Sequence, residues 1–554
     1  MFAHALLCAL FSGSMLVNCD VIAELPQGTV QGTYKTSYGG KNYSAFEGIP
    51  YAKPPVDKLR FEEPQPAEKW NGVLVADKSY VCTSFIPFPM VRGVMGTEDC
   101  LYVYVYVPRM KISKEENLDV VVHIHGGAFM LGAPMYMADP TFIMDQNVVY
   151  VSFNYRLGVL GFLSTEDDVV PGNNGLKDQS LALKWIKDNI KYFGGNPNSI
   201  TLTGLSAGAA SVHYHYLSPW SKGLFHRGFS QSGTSLQHWA LVEEPLLKAQ
   251  TVARNLSCTI ESTRPMVDCL KKIDAEDLVM GILPLFVFID SVPFTTFGPV
   301  VEKGSNPFPA RPALQIAQGG KVQDVPWVVS NVKDEGLMPA GLFMMMKKLE
   351  ELNRRWDEIM PYALDINSTV DDNDKKDVIT KVRKYYFKEE SLSPDNLDSL
   401  AELFSDRGFL VDAEKAIRAH SKAVKSPVYY YLFNYVLQIP AMFKGTKKGV
   451  AHSDDGRILF KIFGTPSKLP KDDEKNDETS DWIYNFLCIF KVSRDIVSKP
   501  KMNGVEWKPV DPASEEIDYL NILSPDDISM GKIKELAHNS FWNSLPIKEN
   551  DKIL

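Results

Sequence analysis

Compact apolar runs alternate with stretches of helical periodicity along most of the chain. Val120-Val-Val-His-Ile124 runs into Gly126-Gly127, and Val148-Val-Tyr-Val-Ser-Phe153 runs into Asn154-Tyr155-Arg156. Ser199-Ile-Thr-Leu-Thr203, Val325-Pro-Trp-Val-Val-Ser330 and Val428-Tyr-Tyr-Tyr-Leu-Phe433 read as further strands. Between the second and third, Leu181, Trp185, Ile186 and Ile190 recur at helical spacing until Gly194-Gly195, and Ala207 onward is compatible with another helix. Strands without polar alternation are buried on both faces. The pattern therefore predicts an α/β fold, with a large, mostly parallel sheet covered by helices on both sides. No internal repeat and no Pro/Gly/Ser-rich linker divides residues 20–554, which are read as one domain.

Composition changes this picture little. The 554 residues are 45% hydrophobic, and 59 basic against 68 acidic residues give a formal charge of −9, with no sign of a nucleic-acid surface. The densest charge run, Lys471 to Glu478, reads as a solvated loop. The N-terminus says more. Ala3 to Val17 is apolar and rich in small residues, so residues 1–19 are read as a secretory signal peptide. Its n-region offers only His4 in place of the usual Lys or Arg. No later stretch reads as a membrane span, and the C-terminus carries neither a GPI tail nor an ER-retention tetrapeptide, so the expected location is extracellular. Beyond Cys8 and Cys19, the close pairs Cys82 with Cys100 and Cys258 with Cys269 would each close a short loop; Cys488 reads as a buried free thiol. Sequons begin at Asn42, Asn255 and Asn367.

Three motifs carry chemistry. Gly204-Leu205-Ser206-Ala207-Gly208 is a G-x-S-x-G placed after a strand and before a helix, where a sharp turn presents a serine hydroxyl above the sheet. His125-Gly126-Gly127-Ala128-Phe129 follows the strand at 120–124. The backbone N–H groups of Gly126 and Gly127, joined by that of Ala207, are natural donors to an oxyanion. His125 itself is expected to order that loop rather than move protons. Gly449-Val450-Ala451-His452-Ser453-Asp454-Asp455 places a histidine in a loop after a late strand, where a neutral imidazole could accept the serine proton. The acid must come between the two in sequence, and the segment leaving the strand at 325–330 offers both Asp334 and Glu335. Spacing does not choose between them. No metal or cofactor motif stands out.

These motifs resemble those of the type-B carboxylesterase and cholinesterase family, insect secreted esterases in particular, whose fold is the α/β-hydrolase. The likeness extends from Phe46-Glu-Gly-Ile-Pro-Tyr-Ala52 through Glu98-Asp-Cys-Leu-Tyr102, Asn154-Tyr-Arg-Leu-Gly158, Gly175-Leu-Lys-Asp-Gln179 and Ser230-Gln-Ser-Gly233 to the loop at 449–455. It implies Ser206, His452 and Glu335 as a catalytic triad and supports the pairings Cys82–Cys100 and Cys258–Cys269. It further implies buried ion pairs Arg60–Glu98 and Arg156–Asp178, Ser232 as a hydroxyl that hydrogen-bonds the acid, and Trp239 in the acyl pocket, where Leu205 and Phe129 are also expected.

The chain departs from the family in three places. Leu205 stands where general esterases of this family carry Glu and juvenile hormone esterases carry Gln. Ala128 replaces a commoner third glycine. The loop between Cys82 and Cys100 lacks the Trp that binds quaternary ammonium in acetylcholinesterase-like enzymes. The expectation is thus a secreted serine carboxylesterase acting on small, neutral, apolar esters of xenobiotic, pheromone or lipid type, without an obligatory protein partner. The alternatives are a non-catalytic adhesion or binding member of the family and a protein that sequesters esters or organophosphates stoichiometrically.

Overall fold

The computed structural model describes residues 21–87, 92–303, 307–309, 311–388, 390–437, 449–462 and 500–550. The proposed leader, the charge run at 471–478 and Cys488 lie outside the described residues. Strands drawn from residues 21 to 533 join one 13-stranded sheet. They are β1 (Val21–Leu25), β2 (Gly28–Thr36), β3 (Asn42–Pro50), β4 (Tyr102–Val107), β5 (Leu118–Ile124), β6 (Val149–Phe153), β7 (Gly195–Leu205), β8 (Arg227–Gln231), β9 (Trp327–Val332), β10 (Val428–Phe433), β11 (Ile517–Ile522) and β12 (Ile528–Ile533). The spatial order is β1-β2-β3-β4-β6-β5-β7-β8-β9-β10-β11-β12, with the short strand Val73–Val75 paired to β2.

From β6 to β11 every ladder is parallel. These are the strands whose residues are almost uniformly buried, and hence the ones with continuous apolar runs. The antiparallel strands cluster at the ends of the sheet. There β1 alternates buried and exposed residues as a one-face strand does. Most boundaries fall within two residues of the sequence reading, and two of the shifts have a clear cause or a larger size. The strand expected from Val325 starts at Trp327, since Pro326 has no N–H to give the ladder. The strand at 199–203 extends back to Gly195 through an irregularity between Gly195 and Ile200.

Helix α1 (Asn174–Asn189) buries Leu183, Trp185 and Ile186, and Gly194 closes the turn after it at φ 83°. Helix α2 (Ala207–Leu217) is buried along its whole length behind β7. After β9, helices α3 (Leu337–Met345), α4 (Leu397–Ser405) and α5 (Val411–Ala423), with the longer helix Asp372–Phe387 and shorter ones between, build a helical layer. Its apolar core runs from Phe288 through Leu337, Trp356 and Leu403 to Trp542.

Both disulfides form, Cys82–Cys100 and Cys258–Cys269. Both ion pairs form too. Arg60 grips Glu98 with Nε and a terminal nitrogen at 2.7 and 2.5 Å. Arg156 donates its backbone N–H and Nε to one oxygen of Asp178 and a terminal nitrogen to the other at 2.7 Å, with both side chains buried. Asp178→Asn preserves the shape but leaves a buried guanidinium uncompensated. A loss of about 3–5 kcal/mol in the urea-unfolding free energy is expected; a change below about 1 kcal/mol would make the pair dispensable.

Candidate active site

The three motifs that carry chemistry, with the segment 334–335, lie beyond the carboxyl ends of the parallel strands, where open α/β sheets bind their ligands. β5 runs into the 125–129 loop, β7 into Ser206 and β9 into the turn carrying Glu335, while His452 lies in the segment 449–455, fastened to the end of β9. Ser206 sits at φ 59°, ψ −122°, a strained conformation for a side chain with a Cβ. The turn closes so tightly that a Cβ on Gly208 would lie 2.0 Å from the carbonyl oxygen of Ile124, and one on Gly204 2.2 Å from that of Gly208. Gly208 lets the elbow seat against the end of β5, and Gly204 lets the turn close on itself. Ala207 opens α2, so its N–H is one of those that no intrahelical carbonyl accepts.

The 125–129 loop folds over the elbow. A Cβ built on Gly126 would stand 3.1 Å from Ser206 Cβ, while Gly127 takes φ 109°. Ala128 and Phe129 adopt positive φ without being glycine, at 54° and 59°. His125 holds the loop. Its Nδ1 donates to the Gly126 carbonyl at 2.9 Å and its ring stacks on Tyr155. Burial pushes its pKa down to about 4, so the ring stays neutral in its ordering role.

Glu335 is fully buried. One carboxylate oxygen, Oε2, meets His452 Nδ1 at 2.7 Å. The other, Oε1, accepts the Asn331 side-chain amide at 3.0 Å and the Val332 backbone N–H at 3.1 Å. A carboxylate only accepts, so Nδ1 carries the proton and Nε2 of His452 keeps its lone pair. Asp334, the other acid left open by the sequence, turns to a different task. Its Oδ2 accepts the Val450 N–H at 3.0 Å, and its backbone bridges Ala451. It fastens the His452 loop to the end of β9.

Asp455 anchors the same loop from the other side. Its Oδ2 accepts from Tyr431 OH at 2.8 Å, Ser330 Oγ at 3.0 Å and Gln231 Nε2 at 3.1 Å, so three adjacent strands hold it. Burial raises its pKa from the usual carboxylate value. Ser206 Oγ and His452 form no hydrogen bond; such contacts commonly tighten only on substrate binding. Other histidines also pair with acids, notably His538 with Asp406 at 2.6 Å.

Two sequence expectations need correction. Ser232 does not hydrogen-bond the acid. It takes φ 53°, its N–H goes to the Ser330 carbonyl, and its Oγ makes no hydrogen bond among the described residues. Asn331 occupies that role. Leu205 is buried with its methyl groups against the backbone of Gly456, so it packs under the His452 loop. Phe129 and Trp239 do come together, with ring centroids 6.4 Å apart. The row continues to Phe409, 6.0 Å from Trp239 and 4.7 Å from the His452 ring. The Trp239 indole donates to the Gly408 carbonyl at 2.8 Å. Gly408 and Phe409 belong to a π-helical turn, Asp406–Leu410, of the kind that interrupts α-helices at functional sites. Among the described residues, no group of His, Cys, Asp and Glu is arranged to hold a metal ion, and no helix is long and apolar enough to cross a membrane.

A twisted, mostly parallel sheet with helices on both faces and a serine elbow at a strand end defines the α/β-hydrolase fold. The model of the carboxylesterase family matches residues 20–542. The chain is 41% identical over 533 residues to venom carboxylesterase-6 of Apis mellifera, covering 94% of each. It is 40% identical over 536 residues to a carboxylic ester hydrolase of Bombus ignitus, again covering 94% of each. Its fold superimposes with a TM-score of 0.79 on the crystal structure of juvenile hormone esterase from Manduca sexta with OTFP covalently attached, at 26% identity, covering 96% of this chain and 99% of that one. The chain belongs to the carboxylesterase family and is a carboxylic-ester hydrolase acting on small-molecule esters.

Proposed function

We propose that this protein is a secreted serine carboxylesterase of neutral, apolar esters, with Ser206, His452 and Glu335 as its triad. The reading is carried by the His452–Glu335 contact at 2.7 Å, which sets the histidine tautomer beside a strained serine elbow. Ser206 Oγ attacks the ester carbonyl as His452 Nε2 takes its proton. The N–H groups of Gly126, Gly127 and Ala207 receive the oxyanion. The imidazolium returns the proton to the departing alcohol, and a water activated by the same ring then releases the acid.

The wall of Phe129, Trp239 and Phe409 suits an apolar acyl group, and Leu205 puts no charge beside the nucleophile. Pheromone-type acetates, lipid esters and xenobiotic esters fit this surface better than choline esters. Export accords with the disulfides, which persist in oxidising compartments, with the leader read in residues 1–19, and with the venom esterase among its relatives. Of the sequons, Asn42 and Asn255 are exposed and Asn367 partly so, and all three are proposed as glycan acceptors.

An organophosphate tests the assignment. Incubated to full inhibition, the protein should gain a single phosphoryl adduct by intact mass, and peptide mapping should place it on Ser206. An adduct on another residue, or full inhibition without one, would overturn the reading.

A further inference from the structure

We infer that Asn331, backed by Tyr430, is the residue that orients the triad acid in this enzyme. The inference rests on the triad reading above.

β9 reads Trp-Val-Val-Ser-Asn-Val, and every residue of it is buried. An asparagine is a poor strand former, and its amide is costly to bury unless both ends are bonded. Here both ends are. Nδ2 donates to Glu335 Oε1 at 3.0 Å and Oδ1 accepts from Tyr430 OH at 3.3 Å. In the β9–β10 register Tyr430 lies opposite Val329, which makes it the diagonal neighbour of Asn331 on one face of the sheet. Ser330 and Tyr431, each one position away from a member of this pair, point to the other face, and both donate to Asp455 beneath the His452 loop. Neighbouring positions on two strands thus serve the two partners of the relay separately: one pair holds the acid, the other the loop that carries the base.

The amide can adopt only one orientation. Glu335 is an acceptor, so the NH2 must face it and the carbonyl must face the tyrosine. Burial and the Glu335 charge hold the Tyr430 hydroxyl in its protonated, donating form. With Val332 N–H, Asn331 saturates Oε1, and Oε2 is the oxygen left for His452. Asn331 touches neither Ser206 nor the imidazole among its hydrogen bonds, so it is a positioning residue.

The test uses full-length protein and a nitrophenyl ester, with Asn331→Leu, Tyr430→Phe, Ser232→Ala and Ser206→Ala compared by kcat, KM, pH profile and thermal midpoint. Asn331→Leu is expected to lower kcat by about tenfold to a hundredfold, the scale of a lost hydrogen bond to a charged group, and Tyr430→Phe by about threefold to tenfold. KM should stay within about twofold for both. Loss of the donor raises the proton affinity of Glu335, and a more basic carboxylate holds the imidazolium more firmly. The acid limb of kcat/KM should therefore move to higher pH. Ser232→Ala should match the parent. If Asn331→Leu does not fold, Tyr430→Phe alone must show the lower kcat and the shifted limb. Variants that lose only thermal stability, with parental kcat and an unmoved acid limb, would overturn the inference and leave the triad standing. Parental turnover in Ser206→Ala would instead remove the triad reading itself.

Discussion

Ser206→Ala is expected to lower kcat for short nitrophenyl or naphthyl esters by about a millionfold, the largest effect of any single substitution in this protein. The size follows from what remains. The donors of Gly126, Gly127 and Ala207 would still polarise a bound carbonyl, and the aromatic wall would still bind it, which leaves about a thousandfold advantage over water. His452 would still be a base, but with no hydroxyl to activate. Alanine keeps the Ser206 Cβ and removes only its hydroxyl, so the fold and KM should survive. The steady-state rate and the pre-steady-state burst should vanish together, because no acyl-enzyme can form. A variant that keeps turnover within about tenfold of the parent would place the nucleophile elsewhere. The same trace also separates hydrolysis from sequestration in the parent: a burst followed by sustained release is turnover, and a burst that stops is capture.

Much of this site was legible in the sequence because its parts are local. A buried parallel strand announces itself by its unbroken apolar run, and β5, β6 and β10 lie within two residues of where their runs stand. Gly204 and Gly208 are demanded by contacts within one turn and the strand beside it. What stayed illegible depends on residues distant in sequence. Asp334 and Glu335 are adjacent acids leaving one strand. Their division of labour is decided by which side of the chain the 449–455 loop docks on. Ser232 follows β8 as the family pattern expects, yet its positive φ and its backbone bond to Ser330 accompany a hydroxyl without a partner, while Asn331 on the neighbouring strand meets the acid. The one signal that could have found Asn331 was its polarity inside an apolar strand. Phe409 gave no such signal. In a helical run a phenylalanine reads as core, and only the π-helical turn brings it against His452.

Glu335→Gln should lower kcat by about ten thousandfold while leaving the fold intact, a far larger loss than removal of one negative charge near an imidazole would suggest. The reason lies in the two donors behind the carboxylate. Asn331 Nδ2 and Val332 N–H both point at the Oε1 position, so a glutamine there must seat its carbonyl oxygen against them. Its NH2 then occupies the Oε2 position and faces His452 Nδ1 across 2.7 Å. A donor facing Nδ1 forces that nitrogen to become the acceptor, which moves the imidazole proton to Nε2, the atom that has to take the serine proton. The amide cannot rotate to escape, because doing so would oppose NH2 to two N–H donors in a fully buried site. Glu335→Asp, shorter but still a carboxylate, keeps the correct tautomer and should lose far less. Steady-state kinetics on both variants, with the imidazole proton located by NMR, check the ordering. Equal losses for Gln and Asp would mean that reach, not tautomer, is what Glu335 supplies. A Gln variant whose ring proton stays on Nδ1 would show that the donors behind Glu335 do not control the base.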